Sequence, residues 1–128
     1  MSTATVAQQL VEFCQQGQNT QAVETLYAND AVSVEAADSG SADMPREMRG
    51  LDTLRKKNQW WIENHEVHSA STEGPYPHGD DRFAAIFEFD VTHKPSGQRM
   101  QMKEVGVFTV ANDKITREEF FYATPDQC

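Results

Sequence analysis

A chain of 128 residues with a formal net charge of −9 is long enough for one respectable core and not for two. That acidity argues against nucleic acid and anionic membranes, both of which call for basic surfaces. No apolar run approaches the roughly 20 residues of a membrane-crossing helix, and the opening Met-Ser-Thr-Ala-Thr lacks the basic-then-apolar pattern of a secretory leader. The two cysteines build no disulfide framework. A soluble, cytoplasmic protein of one domain over 1–128 is expected.

Val6, Leu10, Phe13 and Cys14 recur at helical spacing, with Thr3 or Thr5 to cap the start and Gly17 to stop it. Cys14 lies on the apolar face, where its thiol stays protonated and packs as a small hydrophobe. A second short helix follows from Thr20 to Tyr27, with Ala22, Val23, Leu26 and Tyr27 on its buried side. Asn29-Asp30 breaks it, and Ala31 to Glu35 reads as a short strand. The polar run Ala37 to Pro45 has the composition of a mobile loop, and Gly50 ends it.

The third helix runs from about Leu51 to His65. Leu54, Asn58, Trp61, Ile62 and His65 form its inner stripe, while Arg55, Lys56 and Glu63 face water. From Val67 onward the period becomes that of strands, predicted at about 67–74, 82–92, 99–111 and 114–123. The turns between them, Pro75–Asp81, Lys94–Gly97 and Asn112–Asp113, are rich in Pro, Gly, Asn and Asp. Helices gathered early and strands late imply an α+β fold: a curved, mainly antiparallel sheet with helices on one face, its concave side able to enclose a pocket.

The segment Met100 to Val110 carries the strongest chemical signal. Alternation puts Met100, Met102, Glu104, Gly106, Phe108 and Val110 on one face, so a carboxylate stands in an apolar row. Such a group is costly unless paired, hydrogen-bonded or kept protonated. Glu104 is thus a pocket acid, a general base, or half of a structural ion pair with Lys57, Arg99 or Arg117.

Leu-Tyr-Ala-Asn-Asp-Ala (26–31), Gly50 opening the third helix and Asp-Lys-Ile-Thr-Arg-Glu-Glu-Phe-Phe-Tyr (113–122) together resemble the NTF2-like superfamily, most closely its SnoaL-like proteins. The resemblance covers nearly the whole chain. It implies a cone of three N-terminal helices closed by a curved, mainly antiparallel sheet, often dimeric, on which isomerases, cyclases, dehydratases and binding proteins all occur. Against the ketosteroid isomerases of that superfamily, the general-base position falls at Glu35. The two oxyanion-stabilising positions fall at about Leu10 and Gly106, neither of which can donate. Glu104 lies two residues before Gly106, roughly 6 to 7 Å along the strand. Steroid isomerisation by that route is not expected, whereas the acid–base residue of the similar polyketide cyclases has counterparts in Glu104 or Glu35.

In the last strand both faces carry apolar groups, Ile115 and Phe121 on one, Phe120 and Tyr122 on the other, and period alone does not choose. The resemblance turns Tyr122, and hence Glu118, inward; otherwise Glu118 is a surface residue beside Arg117. Asn58 either meets a ligand or satisfies backbone groups. His65 either joins the site or rests on the helix dipole. Trp61 is core or pocket wall, and Trp60 points to a subunit contact. His65 and His68 straddle the helix end and no His-Glu-x-x-His, paired-Cys or G-x-S-x-G motif occurs, so neither a metal nor a cofactor nor a nucleophilic serine is expected.

The opposite sheet face, with Gln101, Lys103, Val105, Val107, Thr109, Ala84, Ile86, Glu88 and Asp90, is half apolar and implies a two-fold homodimer packed sheet to sheet. The expected protein has a mostly apolar pocket walled by Trp61, Phe87, Met100, Met102, Phe108 and Tyr122, with Glu35, Asn58 and Glu104 supplying polarity. Its partner is a small organic molecule. Three readings follow: a cofactor-free proton-transfer enzyme on a small carbonyl compound, a non-catalytic binder, or a dimeric interaction module whose cone is filled by Met100, Met102 and Phe108.

Overall fold

A computed structural model of the protein describes residues 2–37 and 45–123; most of the polar run expected to form a loop, 38–44, lies outside them, as does Cys128. Helix α1 spans Thr3–Gln15. Its N-cap is Ser2, whose hydroxyl accepts from the Thr5 amide at 3.1 Å, so the cap sits one residue before the earlier of the two threonines proposed for it. Gly17, at φ +72°, stops the helix as expected: the left-handed turn lets the Gly17 and Gln18 amides reach the carbonyls of Cys14 and Phe13. Helix α2 is Asn19–Leu26.

Strand β1, Tyr27–Val34, starts earlier than expected, so Tyr27 opens a strand instead of closing a helix. The helix ends at Leu26, ahead of the Asn29-Asp30 pair expected to break it, and that pair lies within β1, in a register shift between Tyr27 and Val32. A short strand β2, Glu47–Arg49, pairs with it and was hidden by its length. Gly50, at φ +93°, then admits α3, Leu51–Asn64. The long strands are β3 (His65–His78), β4 (Arg82–His93), β5 (Gln98–Ala111) and β6 (Lys114–Phe121). β3 continues through Pro75 to His78 where a turn was expected, and Tyr76 pairs with Ala84.

The six strands lie in the order β2-β1-β6-β5-β4-β3. All neighbouring pairs are antiparallel except β1 with β6, which is parallel. The result is an α+β fold, three helices on a mixed, mostly antiparallel open sheet, as the sequence implied. The core lies between helices and sheet. Val6, Leu10 and Val11 of α1, Leu26, and Leu54 of α3 pack against Phe83, Ala85, Phe87, Phe108, Val110 and Ile115. Ile62, assigned to the inner stripe, is instead 42% exposed. No helix among the described residues is long and apolar enough to cross a membrane.

One irregularity fixes the inner face. Thr109 pairs with Arg117, but Val110 pairs with Ile115, leaving Thr116 as the extra residue of a β-bulge. The bulge flips the alternation, so Ile115 and Glu118 are both buried. That is why period two could not choose a face for β6.

Candidate functional site

Glu104 stands on β5 opposite Phe87 of β4, with Met102 opposite Phe89 and Gly106 opposite Ala85. It is therefore on the row of the sheet that faces the helices, half-buried. The neighbouring position explains why no second acid follows. A Cβ on Gly106 would come within 2.9 Å of the Phe108 ring and 3.0 Å of the Phe87 ring. Aromatic side chains occupy that depth: Phe108 stacks on Phe83 at 5.0 Å and meets Phe87 and Phe120 edge-on, each at 6.3 Å. Phe87 and Phe108 are thus core residues, 5% and 1% exposed, and the cone is filled here by phenylalanines.

Beside this aromatic floor runs a connected polar chain. Tyr27 donates its hydroxyl proton to Glu118 Oε1, and Ser33 donates to Glu118 Oε2 at 2.6 Å. Lys57, reaching in from α3, donates to Ser33 Oγ at 2.6 Å and pairs with Glu35 Oε1 at 2.9 Å. Its ammonium also lies 5.2 Å from the centre of the Phe120 ring, close enough for a cation–π contact. Tyr122 stands beside Glu35, whose charge raises its hydroxyl, and beside the backbone of Ala37, which lowers it. Five side chains from β1, α3, β6 and the segment just past the end of β1 are thereby joined, with Tyr122 beside Glu35.

The electrostatics follow from this packing. Burial, then the neighbouring carboxylates of Glu35 and Glu118, push Glu104 up to about 7, with Lys57 pulling the other way. Burial and Glu35 push the Tyr122 hydroxyl up to about 12. Tyr27 is held well above its ordinary value by burial and Glu118, and Cys14 is raised to about 12 by burial, with Glu118 contributing. Every phenol and thiol around the carboxylates therefore stays protonated at neutral pH.

The cluster is not sealed. The Lys57 and Glu35 side chains keep 17% and 28% of their exposure. An open groove of about 560 Å3 at the end of β6 is lined by Ala36, Arg46, Glu119, Phe120 and Tyr122 among others, and of these Phe120 carries the contact with the Lys57 ammonium.

Other expected site residues fall elsewhere. Asn58 does not face this cluster; its amide donates to Thr20 Oγ1 at 2.9 Å and ties α3 to α2. His65 is the first residue of β3, where its Nδ1 donates to the Trp61 carbonyl at 2.8 Å. Its ring stacks on Trp61 at 4.5 Å and lies 5.4 Å from His93, and burial lowers its proton affinity. Trp61 in turn meets Phe89 at 5.4 Å. Met100 and Met102 are half-buried opposite Val91 and Phe89. Arg99 and Arg117, weighed as partners of Glu104, engage Asp90 and Glu119 instead. Among the described residues no group of three or more His, Cys, Asp or Glu could hold a metal ion.

Two members of the chain were missed and a third was given another partner. Lys57, weighed as an ion-pair partner of Glu104, pairs with Glu35 and donates to Ser33 instead. Ser33 alternates with Ala31 and Glu35 in β1, and Tyr27 was assigned to a helix face.

The family model of the SnoaL-like domain matches residues 1–122. A candidate SnoaL-like polyketide cyclase from Mesorhizobium loti is 48% identical, covers 95% of this chain and 100% of its own, and superposes with a TM-score of 0.88. More distant structures share the fold alone. A Mycobacterium tuberculosis protein in complex with estradiol-17β-hemisuccinate is 19% identical over 99% of this chain and 98% of its own, with a TM-score of 0.72. A computationally designed 17-OHP binder is also 19% identical, over 99% and 97%, with a TM-score of 0.71. No curated protein matches the chain.

Proposed function

The chain belongs to the SnoaL-like family, and on that premise we propose that it binds a small carbonyl-bearing organic molecule and moves a proton on it without a cofactor. The observation that carries this reading is Glu104: a half-buried carboxyl group in an apolar row, flanked by two other carboxylates and pushed up to about 7. A group that exchanges its proton near neutral pH is suited to acid–base work. Glu35, beside the groove and held by Lys57 at 2.9 Å, takes the proton from the carbon next to the carbonyl. The electron pair moves onto the carbonyl oxygen, which accepts a hydrogen bond or proton from neutral Glu104. Tyr122, still protonated at any physiological pH, is a second donor to that oxygen. Returning the proton to a different carbon completes an isomerisation; attack by the enolate carbon on a second carbonyl completes a cyclisation.

The test is proton exchange. In D2O, a panel of small ketones and β-keto esters should incorporate deuterium beside the carbonyl faster with the protein than without it, and Glu104→Gln should remove most of the acceleration. Compounds that bind yet show no exchange would support the second reading, a non-catalytic binder. That reading draws on two proteins of the same fold, one in complex with estradiol-17β-hemisuccinate and one designed as a 17-OHP binder.

The outer sheet face supports a homodimer. Ala84, Ile86, Val105 and Val107 are only half-buried there, and Phe121 is 49% exposed. Light scattering should give twice the chain mass, and Val107→Glu should return it to one.

A further inference from the structure

Beside the end of α3, the sheet carries a pair of histidines that the polar chain does not use. His65 of β3 and His93 of β4 are register partners, so their side chains leave the same side of the sheet as cross-strand neighbours. Both are half-buried, and their ring centres lie 5.4 Å apart. Each ring has committed one nitrogen. His65 gives its Nδ1 proton to the Trp61 carbonyl at 2.8 Å, which can only accept. His93 Nδ1 meets Ser96 Oγ at 2.8 Å. The serine proton is directed to the His93 carbonyl at 3.4 Å, and the Gln98 amide approaches Oγ at 3.3 Å, so Oγ accepts from the ring. In a neutral imidazole whose Nδ1 carries the proton, Nε2 is a bare acceptor. Two such Nε2 lone pairs stand on neighbouring strands, in a residue type that is ordinarily neutral above about 6.5.

We infer that His65 and His93 hold a zinc-class divalent cation through their Nε2 atoms, with water or a chelating ligand in the remaining positions. An ion about 2.0–2.1 Å from each Nε2, at the tetrahedral angle, sets two ring centres roughly 5.2 Å apart. The observed 5.4 Å matches that separation. Imidazole nitrogen suits zinc and its neighbours in the transition series, whereas magnesium and calcium take oxygen. A carbonyl that accepts the other ring proton fixes the tautomer and raises the basicity of the ligating nitrogen. The Trp61 carbonyl does this for His65, and stacking on Trp61 at 4.5 Å fixes the plane of the ring. His68 is not a third ligand, since Thr92 Oγ1 engages its Nε2 at 2.7 Å. No group of three ligands forms among the described residues, so the site is open and its ion exchangeable. Sequence motifs do not reveal the pair, because its members lie on two strands and meet only through their register.

Nitrogen-15 spectra of the histidine rings test this on the full chain at about pH 7.5, with zinc as the probe and magnesium as the control. Zinc should move the Nε2 resonances of His65 and His93 together, along one curve that saturates at one ion per chain. Magnesium should move neither, and His68 should not follow the zinc curve. His93→Gln removes one ligand and with it the gain from holding two on one sheet, so zinc should bind His65 at least about tenfold more weakly. The spectra read each ring separately, so zinc held elsewhere on the chain is not mistaken for this site. The wild-type titration needs no variant and decides the matter whether or not His93→Gln folds. Rings that respond on separate curves, that coordinate through Nδ1, or that stay silent up to millimolar zinc overturn the inference. A His65 response left unchanged by His93→Gln does so too.

Discussion

Ser33 and Glu118 are register partners in the parallel β1–β6 pair, and the serine hydroxyl meets Glu118 Oε2 at 2.6 Å. With Tyr27 donating to the other oxygen, a carboxylate only 8% exposed is satisfied from two points of one strand. Such charge-assisted bonds contribute about 1.5–3 kcal/mol each, and an orphaned buried carboxylate costs more. Ser33→Ala should lower stability by about 2 kcal/mol. Tyr27→Phe should do at least as much, since it strands Oε1 without changing the ring that packs. Urea unfolding measures both. An effect within about 0.5 kcal/mol of zero for both variants would mean that the stitch contributes little to the fold.

Glu104 makes the opposite prediction for pH. Its native proton affinity lies near 7, above its ordinary value of 4.5. The unfolded chain therefore releases this proton first, and native stability from the group is full below about 4.5 and lost as pH rises through 7. The loss amounts to at most about 3 kcal/mol; partial exposure of the side chain reduces it. Glu104→Gln should be close to wild type at pH 5 and more stable at pH 8. A Gln variant that is less stable than wild type at both values would make Glu104 an ion-pair partner instead of a retained acid.

How much of this the sequence disclosed depended on whether one strand carried its own evidence. Glu104 was legible because Met102, Phe108 and Val110 alternate around it, and the apolar row declares its own face. Glu118 was not, because the bulge at Thr116 turns Ile115 and Glu118 to the same side, and no periodicity survives an inserted residue. The Lys57 partnership was invisible for a different reason. It depends on the parallel pairing that brings β1 beside β6 and under α3, a long-range consequence of topology. Asn58 shows the converse error: its position on the stripe was read correctly in part, but the stripe also faces α2, and Thr20 claims it.

Gly106 tests the aromatic floor. The added methyl of Gly106→Ala would meet the Phe87 and Phe108 rings at 2.9 to 3.0 Å, closer than packed carbons approach. Both rings are fixed by mutual contacts at 6.3 Å and by Phe83, so neither can yield cheaply. Overpacking of this kind costs about 1–3 kcal/mol. Thermal unfolding of the Ala variant should show that loss. A variant as stable as wild type would show that the rings have room to move, and with it space for a ligand deeper in the cone.

Lys57 and Glu118 act on the Glu104 proton with opposite signs, which gives a paired prediction that simple damage to the fold cannot imitate. Removing a neighbouring carboxylate lowers the proton affinity of an acid, and removing a neighbouring cation raises it. Glu118→Gln, which keeps the size of the side chain, should therefore move the Glu104 midpoint below about 7, and Lys57→Met should move it above. Carbon-13 shifts of the labelled Glu104 carboxyl, followed across pH, read the midpoint directly in each variant. Both variants also lose stability, Lys57→Met because Glu35 and Ser33 lose their donor, so stability alone does not separate them. Midpoints that move in the same direction, or that stay where they are, would mean that burial alone holds the proton and that the polar chain serves only to tie β1, β6 and α3 together.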